Sequence, residues 1–327
     1  MNYLKEPARF PRNEHGWNQD FGSVGELVDL ITQPVAYRPN ECASQRFIPT
    51  GWNGTRSFNE AVKLALTGWE EGVEKVLKIR DKLEADIRGQ IPISRLEFDV
   101  SGDFIDMGRY LTGEPENFGF DEDTEFRRDS PIGKVIHIVV NIGASSTLDP
   151  KVIIARGATI AALISLLEMT GKRCEVDAVT ATYSSNGSDN RGASKSWYVQ
   201  LAGYTFSDMW LTRIRLKEAN EPLEISKMVM MLAHPSALRR LVFAAYERAP
   251  QEAVDFFQFR DTLGWYGVPG NVPNDDESCE PYERRRGDIY LPTQYSPALF
   301  YDIKRAKKWI QDQLKVVGVK LEEGVTF

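Results

Sequence analysis

Cysteine and histidine are scarce, at three of each in 327 residues. Cys42, Cys174 and Cys279 stand far apart with no C-x-x-C pair, which excludes a zinc ribbon and argues against a disulfide framework. His15, His137 and His234 form no ligand spacing such as H-E-x-x-H, so histidine-based metal catalysis has no support. There is no G-x-S-x-G elbow, and nothing places a base beside a serine nucleophile. No apolar run approaches the roughly eighteen residues of a membrane span, and Met1-Asn2-Tyr3-Leu4-Lys5-Glu6-Pro7 has no apolar leader. A cytoplasmic protein without a membrane partner is therefore expected. Positive charge is also in deficit: 40 Lys and Arg against 47 Asp and Glu give −7, with a pI near 5.3. That balance opposes coating nucleic acid or an anionic membrane through the overall field, while leaving room for a local basic patch. No internal repeat is apparent.

What is present is ordinary globular composition, with 42% hydrophobic and 27% charged residues over a length sufficient for one large domain or two smaller ones. The most informative stretch is 134–183. The apolar run Ile136-His137-Ile138-Val139-Val140 stops at Asn141-Ile142-Gly143-Ala144-Ser145-Ser146, and Asp149-Pro150 then opens a long apolar helix to Thr170. Cys174 to Tyr183 returns as a strand, parallel to the first by the usual crossover. This unit implies an α/β fold, a mostly parallel sheet with helices on both faces and flanking helices. In such sheets the loop leaving a strand's carboxyl end is where ligands collect. Asn141, Gly143, Ser145 and Ser146 are accordingly the expected ligand-binding loop, emerging at the rim of the sheet.

Around it, four parts are expected. Residues 1–50 form a partly irregular arm with one helix, Val24 to Ile31. Residues 51–92 hold a long helix that starts at the Ser57/Glu60 capping box and packs on the core. Its small-residue stripe Ala61, Ala65, Gly68 and Gly72 either admits a close backbone or marks a kink at Gly68-Trp69. Residues 93–260 form the α/β core, with further helices over 224–233 and, behind a Ser236 cap, 237–248. Residues 261–327 are an irregular segment and a C-terminal helix that buries Leu299, Ile303, Ala306, Ile310 and Leu314.

Two further clusters bear on chemistry. Asp99, Ser101 and Asp103, with Asp106 nearby, offer carboxylates and a hydroxyl that suit Mg²⁺, although such clusters also stabilise turns through the backbone. Arg239, Arg240, Arg284, Arg285, Arg286, Lys304, Arg305 and Lys308, with Tyr282, Tyr290, Tyr301 and Trp309 interleaved, match the pattern that grips phosphates and stacks the bases of a single strand.

The turn after the first strand resembles that of the von Willebrand factor A-like domain, in which Asp-x-Ser-x-Ser binds a divalent cation. Here Asn141-x-Gly143-x-Ser145 replaces the carboxylate by an amide and loses the first hydroxyl, so a degenerate, metal-poor site is implied. A second resemblance rests on Gly51-Trp52-Asn53-Gly54-Thr55-x-Ser57-Phe58, Gly68-Trp69-Glu70-Glu71-Gly72, Asp99-Val100-Ser101-Gly102, Ala155-Arg156-Gly157-Ala158 and His234-Pro235-Ser236-Ala237-Leu238-Arg239-Arg240-Leu241. Together these resemble an uncharacterised family encoded by tailed bacteriophages and mobile elements, over about residues 50–318 and without the N-terminal arm. The resemblance implies a phage setting in the host cytoplasm and supplies no catalytic residue. The expected function is a non-catalytic binding or adaptor protein acting through a protein partner. The alternatives are an accessory factor for single-stranded nucleic acid and a metal-dependent enzyme at Asp99, Ser101 and Asp103.

Overall fold

The computed structural model describes residues 17–34, 42–46, 51–88, 96–101, 104–121, 135–144, 148–170, 172–183, 209–222, 224–257, 259, 268–270, 289–292, 302–319 and 321. The chain enters through β1 (Trp17–Phe21) and α1 (Val24–Ile31). Ser23 caps α1 by accepting from the Glu26 amide, and the Glu26 carboxylate accepts from the Gly22 amide. The same exchange, between Ser57, Glu60 and the Arg56 amide, opens α2 (Phe58–Thr67). One long helix does not follow. The chain breaks at Gly68, φ +87°, and α3 (Glu70–Arg88) starts afresh. A Cβ at Gly68 would stand 2.3 Å from the Ser226 hydroxyl, so the close approach expected of the small stripe is real and coincides with the break.

Next come β2 (Leu96–Asp99), β3 (Phe104–Ile105), α4 (Met107–Thr112) and β4 (Phe118–Asp121), whose strands make a separate antiparallel sheet in the order β2-β4-β3. The central unit is β5 (Val135–Asn141), α5 (Pro150–Met169) and β6 (Arg173–Tyr183), with Asp149 capping α5 through the Lys151 amide. After β7 (Met209–Lys217) and α6 (Ile225–Ala233), a π-helical turn (Ala237–Val242) runs into α7 (Phe243–Tyr246) and α8 (Gln251–Phe257). The chain closes with β8 (Val268–Gly270), β9 (Ile289–Leu291) and α9 (Ile303–Val316). The sequence also suggests a Ser-, Asn- and Gly-rich loop over 184–196 and a strand over 197–205, and both lie outside the described residues.

The main sheet runs β1-β7-β6-β5-β9, with β8 added on β6. β5 pairs in parallel with β6 and β9, and β1 with β7, while β6–β7 and β6–β8 are antiparallel. The fold is therefore α/β on a mixed sheet, and the apolar run at 136–140 is an interior strand. Part of the N-terminal arm is also a correction: β1 is a strand of the main sheet. Strand alternation sends Ile136, Ile138, Val140, Cys174, Val176, Ala178, Trp210 and Ile214 into one core with α1, α2, α3, α5, α6 and α9. Helices on both faces were expected, yet the described helices of this body share that one face. On the other face Val139, Val179, Ala181 and Leu211 are buried beside ion pairs.

α5 is the one helix among the described residues long and apolar enough to cross a membrane, and 67% of its apolar window is buried inside the protein. It needs to be apolar all round because the sheet covers one side and α3, α6 and α9 the others. Gly157 marks a tight crossing, since a Cβ there would stand 2.3 Å from that of Ala233 in α6.

Candidate functional site

The turn after β5 is closed from within. Asn141 is fully buried: its Oδ1 accepts from the Gly143 amide at 3.0 Å and its Nδ2 donates to the Tyr290 hydroxyl at 3.2 Å. The Asn141 carbonyl accepts from Arg156, whose same nitrogen reaches the Pro292 carbonyl at 2.8 Å. Burial pushes the Arg156 guanidinium down to about 10, against a smaller opposing influence of Tyr290. This corrects the expected rim position of Asn141: its side-chain Nδ2 reaches β9, its carbonyl receives Arg156 from α5, and its Oδ1 closes the turn on the Gly143 amide. Gly143 is buried as well, and Ser145 and Ser146 lie outside the described residues.

A second joint absorbs most of the sequence signatures. The 51–57 loop meets the turn after α6: the Ser236 hydroxyl donates to the Asn53 carbonyl and lies 3.0 Å from that of Thr55. Ser236 thus holds a distant loop and makes no side-chain cap bond to its own helix. Arg239 donates to the Trp52 carbonyl at 2.7 Å and lies 4.4 Å above the Trp52 ring. Arg240 donates to the carbonyls of Ser44 and Thr55, at 2.6 and 3.0 Å. Both arginines are at most 1% exposed, so the expected placement of Arg239 and Arg240 on a nucleic-acid surface is overturned. Charged donors on carbonyls contribute about 1.5–3 kcal/mol each, which makes the pair a clasp. Gly54, φ +80°, passes so near that a Cβ would stand 2.8 Å from His234.

His234 packs edge-on against Trp69, ring centroids 4.5 Å apart, and its Nδ1 accepts from the Ser236 amide. The proton of the neutral ring therefore sits on Nε2. Burial, more than the opposed influences of Glu60 and Lys75, brings its pKa down to about 4. Ile142, Arg156, His234 and Arg239 are among the residues lining a small cavity of about 10 Å³, room for roughly one water.

The second face of the main sheet carries an ion-pair row missed in the sequence. Asp177 on β6 accepts from His137 at 2.8 Å and from Arg215 at 2.6 Å, and Arg213 bridges from Asp177 to Asp20 on β1. Burial alone would raise the Asp177 carboxyl, but His137 and the two arginines outweigh it and hold it below the ordinary range. The legible signal was Arg213-x-Arg215 alternating on a strand opposite a lone aspartate. With its carboxylate shared among three donors, this row ties β5, β6, β7 and β1 together.

The exposed chemistry lies elsewhere, on the small sheet. Asp106 caps α4 by accepting from the Arg109 amide, and Gly113, φ +77°, closes it. Met107, Tyr110 and Leu111, spaced i, i+3, i+4 on one helical face, are 58%, 57% and 77% exposed. Ile105 and Val100 are exposed nearby, so this unit holds five of the ten large exposed apolar side chains among the described residues. The expected metal cluster belongs to the same unit: Ser101 is exposed, the side chains of Asp99 and Asp103 lie outside the described set, and Asp106 serves as the cap. No group of three His, Cys, Asp or Glu able to hold a metal occurs among the described residues. Of the remaining basic positions, Lys304, Arg305 and Lys308 are exposed on α9, and Arg284, Arg285 and Arg286 lie outside the described residues.

Residues 11–319 match the family model described as a domain of unknown function (DUF7192), and the chain belongs to that family. The match takes in most of the N-terminal arm, which the sequence resemblance had left outside; β1 pairing with β7 explains why the arm belongs to the domain. No curated protein and no solved structure matches the chain.

Proposed function

We propose that the protein is a non-catalytic binding module that acts through a protein partner, in a phage process within the host cytoplasm. The observation that carries this reading is the apolar face of α4. A stripe spaced i, i+3, i+4 ordinarily packs on its own core, and here it points into water on a helix fixed at both ends. Exposed apolar clusters of this kind mark interaction surfaces. The α/β body is read as a degenerate von Willebrand factor A-like scaffold, in which the Asn141 turn has become internal mortar. The buried clasp of Arg239 and Arg240 belongs to the same scaffold.

A second reading, single-stranded nucleic-acid binding, is favoured by one feature. Lys304, Lys308 and Lys315 lie on one exposed stripe of α9, opposite buried Ala306, Ile310 and Leu314. Affinity capture from phage-infected cells, with and without nuclease, separates the two. The first reading expects a protein retained after nuclease treatment. Loss of every captured species on nuclease treatment, with retention on single-stranded DNA falling steeply with salt, would favour the second.

A further inference from the structure

We infer that the surface around α4 receives a cationic, amphipathic segment of its partner. This rests on the protein-binding reading above and adds the chemistry of the segment received. Across 96–121 the sequence carries seven carboxylates, Glu97, Asp99, Asp103, Asp106, Glu114, Glu116 and Asp121, against a single guanidinium, Arg109. That excess is nearly the whole of the chain's net −7, concentrated in one small unit. Arg109 is turned back on the unit, pairing with Glu114 at 3.3 Å and donating to the Glu116 carbonyl. Among the described residues flanking Met107, Tyr110 and Leu111, the carboxylates Asp106, Glu114 and Glu116 outnumber the one guanidinium, so the local charge is negative.

The face is also held in place before any partner arrives. The Asp106 amide donates to the Asn117 carbonyl at 2.8 Å, Asn117 donates back to the Glu114 carbonyl, and the Glu114 amide reaches the Arg109 carbonyl. Little ordering cost remains for α4 on binding. An anionic membrane or a nucleic acid would meet charge of its own sign here, whereas a segment with two or three large apolar side chains flanked by Lys or Arg meets both features. Apolar contact supplies the affinity, and the carboxylates supply selection and a salt-sensitive association rate.

Fluorescence anisotropy of the full chain with three helical peptides tests the inference: one with Lys opposite Leu, one with Glu replacing Lys, one with Ser replacing Leu. The Lys/Leu peptide should bind at least about tenfold more tightly than either control. Tyr110→Ser with Leu111→Ser should remove about that factor, Leu66→Ser on another exposed site should leave it intact, and added salt should slow association. Equal binding of the Glu/Leu peptide, or equal loss on Leu66→Ser, would overturn the cationic assignment. So would a wild-type dimer that the double variant converts to a monomer, since a second copy would then occupy the face. If the double variant sheds a captured protein partner while no peptide is preferred, the binding reading stands and the cationic chemistry falls. If neither changes, both fall.

Discussion

At the scale of single residues, buried polar groups govern stability, and each has an assignable sign. His234 is ordinarily half-protonated near 6.5 but falls to about 4 when buried beside Trp69. The unfolded chain therefore takes up its proton first as pH falls, so this stabilisation is complete above about pH 6.5 and is lost toward pH 4, about 2 kcal/mol of it by pH 5. Asp177, held below its ordinary range, extends the acid loss to lower pH. Urea denaturation at pH 7 and pH 5 should show the fall, and His234→Gln should flatten the slope between them; an unchanged slope would contradict the assignment. The arginine clasp predicts a larger effect at one pH. Arg239→Met or Arg240→Met should each cost about 2–4 kcal/mol in urea denaturation, because carbonyls of Trp52, Ser44 and Thr55 lose charged donors in the interior. Lysine should not rescue Arg240, since one ammonium lacks the planar fork that spans two carbonyls. A loss below about 0.5 kcal/mol would mean that the clasp is solvated.

At the scale of elements, the crossing of α5 and α6 leaves no room for a side chain at Gly157. Gly157→Val, forced against the Ala233 backbone, should lower stability by about 3 kcal/mol or more, read as a depressed melting temperature, while Ala155→Val, less enclosed on the same helix, should do little. How far elements could be read from sequence follows from how local their causes are. The caps at Ser23, Ser57 and Asp149 were legible because their stabilising groups lie within a few residues of one another, and the strand-helix-strand unit because its apolar runs are long and continuous. The edge strands β1 and β9 were not, because three to five residues become a strand only when β7 or β5, more than a hundred residues away, is there to pair. Arg239 and Arg240 looked like surface charge because composition cannot reveal that carbonyls of a remote loop await them. Ile303 was expected inside and is exposed at the first turn of α9, just after the Asp302 cap. Asn141 was expected at the rim and is buried for a related reason: an amide at a strand's end can serve an internal turn, and here Tyr290 and the Gly143 amide engage it.

At the scale of the whole molecule, the signatures shared by distant segments converge on interior joints, and the exposed apolar chemistry gathers on the small acidic sheet. This division predicts that the surface can be altered without unsettling the body. Replacing Tyr110 and Leu111 by Ser removes exposed side chains and should change stability by no more than about 0.5 kcal/mol. The most direct measurement is parallel capture from infected cells with the wild-type chain and with Tyr110→Ser/Leu111→Ser, after confirming equal melting temperatures. The account predicts that a nuclease-resistant protein partner is held by the first and lost from the second. Equal recovery of the same partner by both would contradict it.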